Sequence, residues 1–178
     1  MHVITDRLMI RDIEEADFAG LHAFRSDPQA VAFMDFGPDS PEQTRDWITG
    51  TIPHNRRQPR LSHNCSIILR STGEVMGWIG IGQSSRTALG DHDFGYGLAR
   101  AYWGCGYMTE AVQALLTFAF TELKAHTVFA ECYVPNTASA RVMEKAGMQL
   151  VGRFAKQNPA IPAKAEMLRF VAHAPTTN

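Results

Sequence analysis

Apolar residues recur along this chain in two rhythms, a spacing of two that marks strands and a spacing of three to four that marks helices, and their alternation predicts an α/β order. Residues 7–11 set charged against apolar positions as a strand does, and Asp12 follows as a cap for a helix with Phe18, Leu21 and Phe24 at helical spacing. Asp27-Pro28 ends that helix. A second is expected from Ser40-Pro41, with Pro41 in its first turn and Trp47, Ile48 and Ile52 facing inward. Residues 53–63 read as loop. The apolar runs 66–70 and 75–81 flank Ser71-Thr72-Gly73-Glu74 and form an antiparallel pair. After a polar loop through Asp91, a strand over 92–98 contains Gly95 and Gly97, which indicate a bulge or a close approach by another backbone. From 109 to 123 the sequence is apolar nearly all round, with Val112, Leu115, Leu116, Ala119 and Leu123 as its strongest stripe, so this helix is expected to pack centrally on the sheet. The strand over 127–134 puts Val128, Ala130 and Cys132 on one face and Phe129, Glu131 and Tyr133 on the other. Pro135 stops it, Asn136 caps a helix that Gly147 ends, and two last strands are expected near 149–155 and 167–172.

Composition narrows the partners more than the chemistry. A chain of 178 residues with 45% hydrophobic content is expected to form a single domain over 1–178 with a substantial core, and no repeat or low-complexity tract divides it. A net charge of −1 gives no general attraction to nucleic acid or anionic membrane. No apolar run approaches the ~18 residues a spanning helix needs, and the N-terminus has no basic region followed by an apolar stretch. Three cysteines, Cys65, Cys105 and Cys132, show no Cys-x-x-Cys spacing, and the seven histidines show no metal-ligand spacing. No metal, no nucleic acid, no membrane and a reducing cytoplasm are therefore expected.

The most informative segment is Trp103-Gly104-Cys105-Gly106-Tyr107-Met108-Thr109-Glu110, followed by Pro135-Asn136-Thr137-Ala138-Ser139-Ala140. Two glycines let a backbone turn sharply and bring N–H groups against a pyrophosphate, with the positive end of a helix dipole aimed at the same place. Asp93-Phe94-Gly95-Tyr96-Gly97-Leu98 precedes the turn, Arg141 to Met148 follows the Asn136 segment, and Thr5-Asp6-Arg7-Leu8-Met9-Ile10-Arg11 opens the chain. Over residues 4–155 these motifs resemble the GNAT superfamily of N-acetyltransferases, and within it the ribosomal-protein alanine/serine N-terminal acetyltransferase branch.

That resemblance implies a mixed, mostly antiparallel sheet of about seven strands, splayed between the fourth and fifth and flanked by about four helices. It implies a bulge in the fourth strand and acetyl-coenzyme A as cosubstrate, with the pantetheine arm in the gap. The cofactor-binding residues it implies are Leu98 and Ala99 at the strand end, Gly104, Cys105, Gly106, Tyr107, Met108 and Thr109 in the turn, and Asn136 and Ser139 beyond. Ser139 matches a serine that relatives use to hydrogen-bond the leaving sulfur; the alternative is a first-turn serine that satisfies a backbone donor. Many members place a tyrosine one helical turn later, where this chain has Met143.

Asp93 stands where relatives often have a glutamate, and its short side chain favours a relay through water as general base. Glu131 is the second candidate base, with an exposed strand carboxylate as its alternative. Glu110 is explained by the helix dipole. Cys105 replaces the lysine or arginine usual between the two glycines, and Ala101 replaces a usual glutamine or arginine. His54-Asn55-Arg56-Arg57-Gln58-Pro59-Arg60 is the one basic cluster, read as a solvated loop against steering of an acidic peptide or contact with the 3′-phosphate. The segment 157–165 departs from the branch's substrate-facing pattern. The expected function is transfer of acetyl to a primary amine by direct attack. A protein N-terminus is the preferred acceptor, with small amines (polyamine, amino acid or aminoglycoside) and a non-catalytic acyl-coenzyme A binder as the alternatives. A homodimer is an expectation from the family that no motif here requires.

Overall fold

The computed structural model describes residues 1–86, 88–156 and 165–175. The segment 157–164, which departs from the branch's pattern, lies outside the described residues. In chain order the elements are β1 (His2–Ile4), β2 (Leu8–Asp12), α1 (Phe18–Arg25), α2 (Pro41–Asn55), β3 (Ser62–Leu69), β4 (Val75–Gln83), β5 (His92–Leu98), α3 (Tyr107–Thr121), β6 (Thr127–Tyr133), α4 (Thr137–Lys145), β7 (Gln149–Lys156) and β8 (Ala165–His173). Among the described residues they form one eight-stranded sheet in the order β1-β2-β3-β4-β5-β6-β8-β7. The short β1, too brief for its periodicity to be read, adds one strand to the expected seven.

Local chemistry explains most of the boundaries. Ser40 accepts from the Gln43 amide while the Gln43 side chain accepts from the Ser40 amide, a reciprocal cap that opens α2 with Pro41 in first place. Asn136 accepts from the Ser139 amide and opens α4, and Gly147, at φ 91°, ends it. Asp12 does not cap α1. It closes β2 and takes a two-pronged contact from Arg60 at 2.7 and 2.9 Å, while Glu14 and Asp17 form the capping box of a 3₁₀ turn, Glu15–Asp17, that leads into the helix. Arg11 turns its guanidinium onto the buried Asp17 at 2.7 and 2.8 Å, and the Ser66 hydroxyl donates to the same carboxylate. Burial alone would raise the Asp17 pKa; the hydrogen bonds from Arg11 and Ser66 outweigh it and hold the carboxyl below its ordinary value. The expected loop over 53–63 is shorter, because α2 continues through Pro53 to Asn55 and β3 starts at Ser62.

Two layers cover the sheet. One face carries the main core, in which Val112, Leu115 and Ala119 of α3 pack on Ile67, Ile79 and Val128. The other carries α1 and α2, with Leu21 against Ile48 and Phe24 against Val31 and Ala99. The β4–β5 ladder runs from Gly77–Leu98 to Gln83–His92 without a register shift, so the expected bulge is absent. Side-chain rings, and not the expected second backbone, fill the space at these glycines: a Cβ on Gly97 would lie 2.2 Å from the Phe24 ring and one on Gly95 3.2 Å from the Trp78 ring.

His63 on β3 packs edge-on against Phe118 with its Nδ1 unpartnered among the described residues, and burial pushes its pKa down to about 4. The unfolded chain takes up that proton near the ordinary value of about 6.5, so this contribution to stability is present above pH 6.5 and is lost as pH falls toward 4. The loss is expected to reach about 2 kcal/mol, allowing for the ring's partial contact with water. Urea denaturation of wild type and His63→Phe between pH 7 and 4 should show a shallower pH slope in the variant.

Candidate active site

The sheet opens in one place. β5 and β6 run parallel but pair only at His92–Val128 and Asp93–Phe129, and beyond Asp93 they diverge. Strand twist widens that gap toward Leu98 and leaves backbone edges unpaired. Tyr96 reaches toward α4, its hydroxyl donating to the Ser139 carbonyl at 3.1 Å. Burial pushes the Tyr96 phenol well above its ordinary value, so it stays a neutral donor.

A cleft of about 390 Å³ lies at this gap. Asp93 and Ser139 both line it, and neither the Asp93 carboxylate nor the Ser139 hydroxyl has a hydrogen-bond partner among the described residues. Asn136 already caps α4, so Ser139's hydroxyl is not needed there. Glu131 also lines the cleft, but its side chain is 7% exposed and is taken up by two guanidiniums, Arg86 at 2.9 Å and Arg169 at 2.7 Å. It is therefore neither the exposed strand carboxylate nor a free proton acceptor: leaving either arginine would break a charge-assisted pair in a nearly dry position. Cys132 faces the same cleft with its thiol pushed up to about 11, by burial first and then by Glu144, so it is held as a neutral thiol. All three cysteines are free thiols. A second depression of about 410 Å³, between α3 and the end of β8, contains no carboxylate.

Past Leu98 the chain makes a 3₁₀ turn, Arg100–Tyr102, and then the glycine turn. Gly104 and Gly106 adopt φ 75° and 79°, conformations that side chains resist, and Gly106 is the N-cap of α3. The first intrahelical bond is Glu110 N–H to the Gly106 carbonyl, which leaves the amides of Tyr107, Met108 and Thr109 as orphan donors with no acceptor among the described residues. Consecutive free amides at a left-handed turn and a helix N-terminus form an anion-binding concavity. Leu98's carbonyl accepts from the Trp103 indole at 2.9 Å. Ala99 offers less than expected, because its amide donates to Met76 and its carbonyl accepts from Tyr102.

A strand pair that splays beside a glycine turn facing a helix N-terminus is the arrangement the sequence resemblance implies, and the family described as Acetyltransferase (GNAT) domain matches residues 7–149. The chain belongs to the GNAT acetyltransferase family. It is 31% identical over 149 residues to the uncharacterized N-acetyltransferase p20 of Bacillus licheniformis, covering 83% of this chain and 82% of that one. Two solved structures share the fold. One is RimL, a ribosomal L7/L12 alpha-N-protein acetyltransferase in complex with coenzyme A (TM-score 0.80, 20% identity, 97% of each chain). The other is a spermidine N-acetyltransferase from Vibrio cholerae with coenzyme A and spermine (TM-score 0.78, 14% identity, 95% of this chain and 96% of that one). This GNAT protein is an acetyl-coenzyme A-dependent N-acetyltransferase.

Several features around the cleft of this GNAT protein are hidden in the sequence. Phe33, Met34 and Phe36, from the connection between α1 and α2, form one wall of the cleft. Arg25 and Asp39 pin the connection with a buried ion pair at 2.7 Å, the guanidinium sandwiched between Phe36 and Trp47 at 3.9 and 4.1 Å from the ring centroids. Arg100 adds contacts to Asp27 and Gln29. The aromatic density of Ala32-Phe33-Met34-Asp35-Phe36 was the only available signal. The helix dipole is an incomplete account of Glu110, which accepts from the Thr5 hydroxyl at 2.6 Å and from the Arg7 amide and Nε at 3.0 and 2.6 Å. Of the basic cluster, Arg60 is tied to Asp12 and to the Ser62 carbonyl and is not a solvated charge. Among the described residues no group of three or more His, Cys, Asp or Glu could hold a metal ion, and no helix is long and apolar enough to cross a membrane.

Proposed function

We propose that this GNAT enzyme moves acetyl from acetyl-coenzyme A to the α-amine of a protein N-terminus by direct attack, without a covalent acyl-enzyme. The observation that carries the reading is the placing of two polar groups with no hydrogen-bond partner among the described residues, the Asp93 carboxylate and the Ser139 hydroxyl, on one cleft at the splay. Asp93 takes the proton of the incoming amine, directly or through water. The neutral nitrogen then attacks the thioester carbon; the N–C bond forms as the C–S bond breaks, and the second proton lost by the nitrogen passes to the departing sulfur, leaving the amide and the free coenzyme A thiol. Ser139 donates to the departing thiolate, and the buried thioether at Met143 offers no proton in its place. Acetyl-coenzyme A is held at its pyrophosphate by the amides of Cys105 to Thr109, with Gly104 and Gly106 shaping the turn, and Asn136 orients the helix that carries Ser139.

The charge pattern favours a peptide terminus over a polyamine. A polycation needs several free carboxylates, whereas Glu131 is already neutralised by two arginines and Arg86 remains about half exposed beside it. Release of free coenzyme A thiol from acetyl-coenzyme A tests the reading with two acceptor pools, Ser- or Ala-initiated peptides and small primary amines including polyamines. Turnover is expected with the peptides. Turnover with the small amines alone would replace the peptide reading with the small-amine one.

A further inference from the structure

The glycine turn lacks the basic residue usual between its two glycines, and the structure brings one to it from far away in sequence. Arg7, in the turn between β1 and β2, lies 98 residues before Cys105 and donates from Nη1 to the Cys105 carbonyl at 2.9 Å. Its Nε donates to Glu110 at 2.6 Å, and its guanidinium carbon stands 4.6 Å from the centre of the Tyr107 ring. Nη2 is different. It makes no hydrogen bond among the described residues, and it lies 3.5 Å from where a Cβ on Gly106 would be, at the mouth of the orphan amides. The side chain is 46% exposed, so that edge is open to a ligand from solvent.

Each contact has a consequence for an anion. A peptide that points its amides outward must place a carbonyl elsewhere, and an unpartnered Cys105 carbonyl beside a phosphate would repel it. Glu110 partly offsets the arginine's charge, but it also removes the rotamer freedom that a long side chain would lose on binding. The guanidinium is therefore already oriented before a ligand arrives.

We propose that Arg7 is the cationic residue of the acyl-coenzyme A pyrophosphate site, holding the Cys105 carbonyl back and presenting Nη2 to a phosphate oxygen. This rests on reading the glycine turn as that site. Arg7 thereby takes the place of the lysine or arginine for which Cys105 stands.

The test is titration of the intact protein with coenzyme A by calorimetry, and with pantetheine, which lacks the nucleotide and the pyrophosphate, by ligand-observed NMR. Arg7→Ala is expected to weaken coenzyme A by about 10- to 100-fold, the range of a lost hydrogen bond to a charged group, and to leave pantetheine unchanged. Adding Cys105→Lys to Arg7→Ala is expected to recover most of the loss. If Arg7→Ala does not fold, Arg7→Gln, which keeps a donor for the Cys105 carbonyl without the charge, is the decisive variant. Equal weakening of both ligands would assign Arg7 to the fold alone, and unchanged coenzyme A affinity would remove it from the site; either result overturns the proposal. Wild-type protein that binds neither ligand would instead overturn the acyl-coenzyme A assignment of the turn.

Discussion

Asp93→Asn is expected to lower kcat by at least about 100-fold, with little change in affinity for acetyl-coenzyme A, because general-base catalysis by a positioned side chain contributes on that order. Asn is nearly isosteric, so the last rung of the β5–β6 ladder, Asp93–Phe129, should survive and the gap should keep its shape. What is lost is the acceptor for the amine's proton, worth about 3 kcal/mol of the barrier at 100-fold. An α-amine has an ordinary pKa of about 7.7–8.0 and reaches the cleft mostly protonated at pH 7 but mostly neutral at pH 9. The deficit of the variant should accordingly narrow as pH rises across that range. Steady-state rates for wild type and Asp93→Asn at several pH values supply the comparison. A deficit that stays the same at all of them would assign Asp93 to holding the gap open, and Glu131, with both oxygens already engaged by arginines, would not take its place.

The division between what the sequence discloses and what it conceals follows contact range. α4 was legible because its cap, Asn136, and its stop, Gly147, act on neighbours within a few residues. The glycine turn was legible because its signal is backbone freedom, which depends on residue type alone. The strand faces of β6 were legible through a period of two: Val128, Ala130 and Cys132 share one face as expected, and the structure shows that this face joins the α3 core. The surroundings of Glu131 are illegible for the opposite reason. Its polar position on an alternating strand predicts exposure, but Arg86 and Arg169, 45 and 38 residues away, meet it only in the folded sheet. The same holds for Glu110 with Thr5, separated by 105 residues. Arg25 and Asp39 lie only 14 apart, yet a buried ion pair between two polar residues leaves no periodicity to find. At Gly95 and Gly97 the sequence predicts a bulge or a close backbone, and the structure has neither: side-chain rings, Trp78 at Gly95 and Phe24 at Gly97, take the space, and their positions depend on tertiary packing.

The stability of the sheet should be most sensitive at Gly77, where Gly77→Ala is expected to cost at least about 3 kcal/mol, at or beyond the upper end of ordinary overpacking. A Cβ there would lie 2.1 Å from the Gly97 carbonyl oxygen and 2.9 Å from the Leu98 Cα. Both obstacles are backbone, so relief requires β4 and β5 to move apart. Gly97→Ala meets the Phe24 ring and the Met34 methyl instead, and side chains can rotate, so a smaller loss is expected there. Gly50→Ala supplies the opposite sign: nothing lies within 4 Å of its Cβ position inside α2, and the alanine should stabilise by about 0.5–1 kcal/mol. Urea denaturation of the three variants, with unchanged slopes, would give the order Gly77, Gly97, Gly50 from most destabilised to stabilised. The functional consequence follows from register. Gly77 pairs with Leu98, the last residue of β5, and Ala99 donates to the carbonyl of Met76 beside it. Separation at that rung would release the chain leading into the glycine turn, so weaker coenzyme A binding should accompany the lost stability in Gly77→Ala and not in Gly50→Ala. A Gly77→Ala protein as stable as wild type would show that the two strands can part at little cost, and would remove the close β4–β5 contact as the reason for Gly77.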